Sequence, residues 1–458
     1  MTFSQGVAAA ALEGVQLPAA EWNTVVAYGQ SLAEGQETWP SLSREAVPGT
    51  FMLGDNVDCV SVANVYKTIG AAVLNPLVAR TNDGSANLTE AEEAALAPGS
   101  NHHGEPPVIG MTRQLKIALN RATLSDSGRN LVALSAGVGG KTIEQLSKTN
   151  TQDTVNRYGI LTDGLGKVQA LTGAGTHVMT ALLWIQGGYN YANFGGSWDG
   201  ASYAALMQQL FDDIAADARA LTGQALPPLF LTAQTSGQGS ADVDSSGTPG
   251  RHVSQAQLEV ALSRADTVMV GPTYAVTDKG AHLDSNGARW FGHMAAKVAR
   301  RVLIDRQGWQ PLRPIEITRD RAVIHVHFHV PVPPLRFDTP YVETTAMDYD
   351  DKGFKVTSAD AQTTYEITAV EIVGQTIIRI TLATEPPADA LLWYGDKTDH
   401  DGGGCVFDSD PGLATDTYEY VPERGMYAGA EIAALIGKPY PLANPSIVFC
   451  YPLTYSEF

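Results

Sequence analysis

The stretch NTVVAYGQSLAEG, residues 23–35, decides the fold class. Its apolar, β-branched start over 23–28 predicts a short buried strand ending at Gly29. A glycine at that end permits a sharp turn, and Ser31 follows it, with its hydroxyl presented at the edge of a sheet. A lone serine is a poor nucleophile; it needs an adjacent base, which is itself oriented by a third group. The rest of the chain therefore has to supply both.

Working outward, residues 40–105 hold scattered Pro, Gly and Asn-Asp-Gly signals and end in SNHHGEPP, which reads as a long loop insertion with short helices. From residue 110 helical and extended patterns alternate. MTRQLKIALNRA (111–122) is amphipathic, NLVALSAG (130–137) is a strand, and TIEQLSKTNTQDTVNRYGI (142–160) is helical. THVMTALLWIQGG (176–188) is the next strand. A helix over 202–223 carries Leu206, Leu210, Ile214, Ala218 and Leu221 on one face, and PPLFLTAQ and DTVMVGPTY are strands before a last helix over 285–303. Such alternation predicts an α/β fold, a flavodoxin-like doubly wound parallel sheet whose sites gather at the carboxyl ends of the strands. After residue 310 the texture shifts to period-two alternation with many Thr and Val. That predicts a smaller C-terminal β-sandwich, so the domains expected are 1–310 and 311–458.

Composition narrows the function classes. The 49 acidic against 30 basic side chains give a net charge of −19, which repels nucleic acid and anionic lipid surfaces. No apolar run is long enough for a membrane span, and the first twenty residues lack the basic start of a secretory signal. The compartment and oligomeric state stay open. Cys59, Cys405 and Cys450 show no CxxC spacing; at most one pair, such as Cys405 with Cys450, could form, and whether it does stays open.

The base sought for Ser31 is His282, which follows the strand DTVMVGPTY and precedes the last helix in DKGAHLDSNG (278–287). Asp278, four residues earlier, can reach the same imidazole from one loop. An acyl-transfer intermediate also needs N–H donors where negative charge develops. The Ser31 amide, the glycines of GVGGKTIE (137–144) and the segment WIQG (184–187) all fall at strand carboxyl ends.

These blocks, Gly29-Gln30-Ser31, Gly139-Gly140, Trp184 through Gly187 with Gln186, and Asp278 with His282, resemble those of SGNH hydrolases. More narrowly they are similar to the sialate O-acetylesterase and acetylxylan esterase branch. The resemblance implies Ser31 as nucleophile, His282 as base and then acid, Asp278 as its orienter, and an oxyanion hole of Ser31, Gly139 and Gln186. Gln30, Tyr189 and Asn190 are the candidate substrate contacts. Gly188 stands where the family carries glutamate, and the Asp-to-His spacing is one residue longer. The function implied is removal of O-acyl groups, acetyl foremost, from a poly- or oligosaccharide, with no cofactor and no metal. A lipase- or thioesterase-like small-ester hydrolase, or a non-catalytic glycan-binding phage tail or surface protein, remains as an alternative.

Other chemistry-bearing residues read as structural. His102 and His103 read as solvated loop residues. His325, His327 and His329 alternate on one face of a strand without accompanying carboxylates. Asp242, Asp244, Ser246 and Gly247 imitate a calcium loop whose bidentate glutamate is replaced by Val253, and Asp396, Asp399 and Asp401 read as a solvated turn. The aromatics Tyr28, Trp39, Tyr189, Tyr191, Phe194, Trp198 and Tyr274 suit stacking on sugar rings or on an acyl chain.

Overall fold

The computed structural model describes residues 14–458 apart from 125, 192–194 and 238. Residues 1–13 and Phe194 lie outside the described residues. The core is a seven-stranded sheet made of β1 (Trp22–Gly29), β2 (Thr50–Leu53), β3 (Leu74–Pro76), β4 (Asn130–Ser135), β5 (His177–Ile185), β6 (Leu229–Gln234) and β7 (Thr267–Pro272), in the order β3-β2-β4-β1-β5-β6-β7. All neighbours are parallel except β2 and β3. Two of these strands come from the expected loop insertion. Residues 40–105 thus extend the sheet as well as carrying loops, because Thr50 and Phe51 pair with Leu131 and Val132 of β4. So short a segment has too few residues to show a period.

Helices cover both faces. On one, α2 (Pro107–Thr123) and α6 (Ser285–Leu303) pack Ile109, Met111, Phe291 and Met294 against Val25 and Ala27 of β1. On the other, α3 (Tyr158–Thr172) and α4 (Gly200–Thr222) pack Leu161, Leu165, Met207 and Phe211 against Val26 and Tyr28, the alternation expected of a strand buried on both sides. The short α1 (Ser31–Glu34) leaves β1, and α5 (His252–Ser263) joins β6 to β7. The helix expected over 142–160 is displaced: a single turn at Ile143–Leu146, capped by Thr142, gives way to loop before α3 begins. Ser147, Asn150, Asp153 and Asn156 there bond the local backbone and compete with helix.

The C-terminal region is a β-sandwich of two antiparallel four-stranded sheets. One comprises β8 (Arg313–Asp320), β9 (Val323–His329), β12 (Ile367–Gly374) and β13 (Ile377–Leu382); the other comprises β10 (Phe354–Thr357), β11 (Thr364–Tyr365), β14 (Leu391–Tyr394) and β15 (Phe449–Pro452). On β9, Ile324, Val326 and Phe328 enter the sandwich core and the three histidines take the opposite face. Cys59, Cys405 and Cys450 are all buried free thiols, so the Cys405–Cys450 pair left open by the sequence is not made. No helix among the described residues is long and apolar enough to cross a membrane.

The chain between the sandwich strands returns to the parallel core. Ala414, Tyr418, Tyr440 and Leu442 join the hydrophobic cluster under α6. The fully buried Arg289 donates to Tyr440 Oη, to the Thr417 carbonyl at 2.7 Å and to Glu419 at 2.7 Å, while Trp290 donates to the Pro441 carbonyl at 2.7 Å. Arg289→Met is expected to lower stability by about 2 kcal/mol, the size of lost charge-assisted hydrogen bonds, and to expose residues 413–441 to protease. An unchanged melting curve and digestion pattern would show that this segment is only draped on the core.

Candidate active site

β1 ends where its neighbour leaves no room for a side chain. Gly29 has φ of +147°, and a Cβ there would lie 2.0 Å from the Ile185 carbonyl oxygen of β5. The chain turns at this point, and Ser31 becomes the first residue of α1, whose amide has no intrahelical partner. His282 arrives from the loop after β7. Its Nε2 is 2.8 Å from Ser31 Oγ.

The imidazole's other nitrogen does not meet Asp278. His282 Nδ1 lies 3.0 Å from Oε1 of Glu37, six residues after the serine. A carboxylate only accepts, so Nδ1–H donates to Glu37 and Nε2 is left to accept the serine proton. Asp278 instead takes the Gly280 N–H on its Oδ1 at 2.7 Å, and its backbone pairs with Leu283 in the same tight loop. The short Asp-to-His spacing directs the aspartate into its own turn. Asp278 is therefore corrected from orienter of His282 to a cleft residue beside it.

Glu37 is held against its backbone preference. Its φ of +65° is unusual for a residue with a side chain, a conformation that costs about 1–3 kcal/mol and persists only where neighbours fix it. Glu37 N–H donates to the His102 carbonyl at 2.8 Å, and Lys279 Nζ donates to the Glu37 carbonyl at 2.7 Å. Lys279 also stands 4.4 Å above the Trp39 ring, a cation–π contact. The hydrogen bond from His282 holds the Glu37 carboxyl below the usual range, against the opposing effect of burial. Burial pushes Lys279 down to about 8 and Asp278 up to about 7.

The other expected donors divide. Gly139 lies close to the serine: a methyl group on it would stand 3.8 Å from Ser31 Cβ, and its N–H has no hydrogen-bond partner among the described residues. Gln186 is different. Its Nε2 donates to Asn190 Oδ1 at 2.6 Å and to the Lys141 carbonyl at 3.2 Å, and its Oε1 accepts from Tyr203 at 2.7 Å. Both amide hydrogens are spent, so Gln186 braces the floor of the site and offers no free donor to an oxyanion. Asn190 is likewise not a substrate contact. It is fully buried and satisfied by Ile143 N–H, Gln186, Glu144 and the Ser197 carbonyl. Gln30 accepts the Gly187 and Tyr189 amides on Oε1, and Tyr189 stands beside Gly140.

Most expected stacking aromatics are core. Tyr28, Trp39, Tyr191 and Tyr274 are buried and Trp198 packs on the α4 face; Tyr274 still lines the cleft beside His282, and Tyr189 stands beside Gly140. His103 is not a solvated loop residue: it lies 2.7 Å from the buried Asp58, whose charge raises it to about 9 against the effect of burial. The Asp396 turn is similarly tied down, with His400 between Asp396 and Asp351. Glu37 was the residue sequence reasoning missed. Its sole local signal is an acid shortly after a strand-end serine, in a loop that also carries Trp39.

Comparisons with known proteins add distant likenesses. No family profile matches the chain, and no curated protein matches it significantly. Among solved structures, a carbohydrate acetylesterase from Xanthomonas citri is similar over 84% of this chain and 77% of its own, at 15% identity and a TM-score of 0.49. A protein from Arabidopsis thaliana is similar over 61% and 98%, at 13% identity and 0.41, and the aryl esterase of M. smegmatis over 61% and 100%, at 15% and 0.30. At such distances no activity is carried over.

Two outcomes are expected. Glu37→Gln should lower kcat on an aryl acetate by about 10²-fold or more with KM little changed, since the amide cannot fix the imidazole tautomer. A larger loss for Asp278→Asn would return the orienting role to Asp278. The second concerns stability. Between the ordinary carboxyl pKa near 4 and the value of about 7 in the fold, the folded protein holds a proton on Asp278 that the unfolded chain releases. Stability from this group is therefore full below that window and is lost as pH rises through it. Melting temperatures of Asp278→Asn should gain on the parent between pH 4.5 and 7.5, and parallel curves would contradict the assignment.

Proposed function

We propose that the chain is an SGNH-type serine esterase that removes short O-acyl groups, acetyl foremost, from a carbohydrate through an acyl-enzyme. The observation that carries this reading is the hydrogen-bonded chain from Ser31 Oγ through His282 to Glu37, set at the carboxyl end of the central strand.

In this reading the Ser31 hydroxyl passes its proton to His282 Nε2 as Oγ attacks the ester carbonyl, and Glu37 stabilises the imidazolium from the other nitrogen. The N–H groups of Ser31 and Gly139 receive the oxyanion. Collapse expels the sugar oxygen, which takes the proton from His282. Water, deprotonated by the same imidazole, then releases the acid.

Para-nitrophenyl acetate should be hydrolysed by the chain and spared by Ser31→Ala, and a fluorophosphonate should label Ser31. EDTA should leave turnover unchanged, because an imidazole base and amide donors supply the chemistry. Turnover that survives Ser31→Ala, or that needs added metal after EDTA, would overturn the reading.

A further inference from the structure

A cleft opens beside His282 at the carboxyl ends of β5, β6 and β7, with Gln30, Thr235, Ser236, Tyr274 and Asp278 among its lining residues. Gly139 and Gly140 are not part of its wall. This asymmetry orients the ester. The imidazole must return its proton to the departing oxygen, so the alcohol leaves on the His282 side while the carbonyl oxygen faces Gly139. The cleft is therefore on the alcohol flank. It has space of about 50 Å³, enough for the hydroxyl-bearing edge of a ring.

Its chemistry is that of a polyol subsite without a counter-charge. Asp278 uses Oδ1 on the Gly280 amide, and its carboxyl group has no other hydrogen bond among the described residues, which leaves Oδ2 open to accept. Gln30 uses Oε1 on two backbone amides, and its Nε2 has no hydrogen-bond partner among the described residues. A hydroxyl both donates and accepts, so neighbouring sugar hydroxyls match an acceptor and a donor set in one wall. Among the described residues no lysine or arginine lines the cleft. Lys279 turns its ammonium to the Glu37 and Trp39 carbonyls, and Lys397 is paired with Asp401. Asp284 and Glu343 add negative potential behind Asp278.

We infer that this cleft receives the leaving alcohol as a neutral sugar, with Asp278 accepting its hydroxyl hydrogen bonds and discriminating against sugars that carry a carboxylate. Above pH 7, where Asp278 is ionised, a carboxylated sugar would bring a second anion against it with no lysine or arginine in the wall to compensate, so the esters are compared at pH 8.5. The inference rests on the esterase reading above and narrows its substrate class.

The test uses the full chain and three esters: a mono-O-acetylated neutral sugar such as glucose or xylose, an O-acetylated sialic acid, and para-nitrophenyl acetate. The parent is expected to favour the neutral sugar ester over the sialic acid ester by about tenfold or more in kcat/KM. Asp278→Asn is expected to lower the neutral-sugar value by about tenfold more than it lowers the aryl acetate value, the scale of a lost hydrogen bond to a charged group. Equal parent rates on the two sugar esters, or equal losses on sugar and aryl esters in the variant, would overturn the inference. The parent comparison decides the matter even if Asp278→Asn folds poorly. Absence of Ser31-dependent turnover on all three esters would instead overturn the esterase reading.

Discussion

β1 is hydrogen-bonded along both edges, to β4 through Trp22–Ala27 and to β5 through Trp22–Gly29, and everything at the candidate site hangs from that doubly paired strand. Its last residue lies so close to the Ile185 carbonyl that only glycine fits, which fixes where the chain can leave the sheet. Ser31 consequently occupies one place, at the head of α1, where its amide has no intrahelical partner and its side chain is buried. His282, Glu37 and Gly139 come from three different loops. Each converges on that place because the strands beneath it are in register.

Ser31 and His282 were legible because strand ends are legible: an apolar, β-branched run stopped by glycine points to both positions without knowledge of tertiary contacts. Glu37 was not. Its orientation depends on the His102 carbonyl and on Lys279, residues far off in sequence, and its left-handed backbone has no local signature in a glutamate. Gln186 and Asn190 failed for a different reason. A sequence position shows that an amide is present, but it cannot show that both of its hydrogens are already committed to neighbouring acceptors. The β2 and β3 strands escaped notice because three or four residues are too few to show a period.

The two carboxyl groups near His282 are driven in opposite directions. Glu37 gains a hydrogen bond from the imidazole and stays charged, whereas Asp278 is buried without a cation and is pushed up to about 7. Environment separates the roles open to chemically similar side chains. A carboxylate that stays ionised can support a transient imidazolium. One poised near neutrality can accept or donate a hydrogen bond to a neutral ligand, which makes it a poor electrostatic partner for the base and a good lining for a polar cleft.

The sandwich is part of this arrangement through contacts that reach the cleft wall from behind. Gln234, at the end of β6, is fully buried and exchanges two hydrogen bonds with the backbone of Val448, at 3.0 and 2.8 Å. Tyr274 donates to the Ser446 carbonyl at 2.8 Å and lies 3.2 Å from the Tyr394 hydroxyl. Asp242 accepts the backbone amides of Lys397 and Thr398. A buried amide left without these partners would bear the cost of desolvation with no compensating bond, about 1–3 kcal/mol for each group. On the β6 and β7 side of the cleft Gln234 and Tyr274 are thus bonded by the sandwich, while on its β1 and β5 side Gln30 Oε1 and the Gln186 amide are bonded within the parallel core. The loop that carries His282 is tied to the C-terminal region as well, since the Asp278 N–H donates to the Glu343 carbonyl at 3.0 Å and Tyr427 donates to Asp284 at 3.0 Å, so that region supports the base as well as the cleft wall.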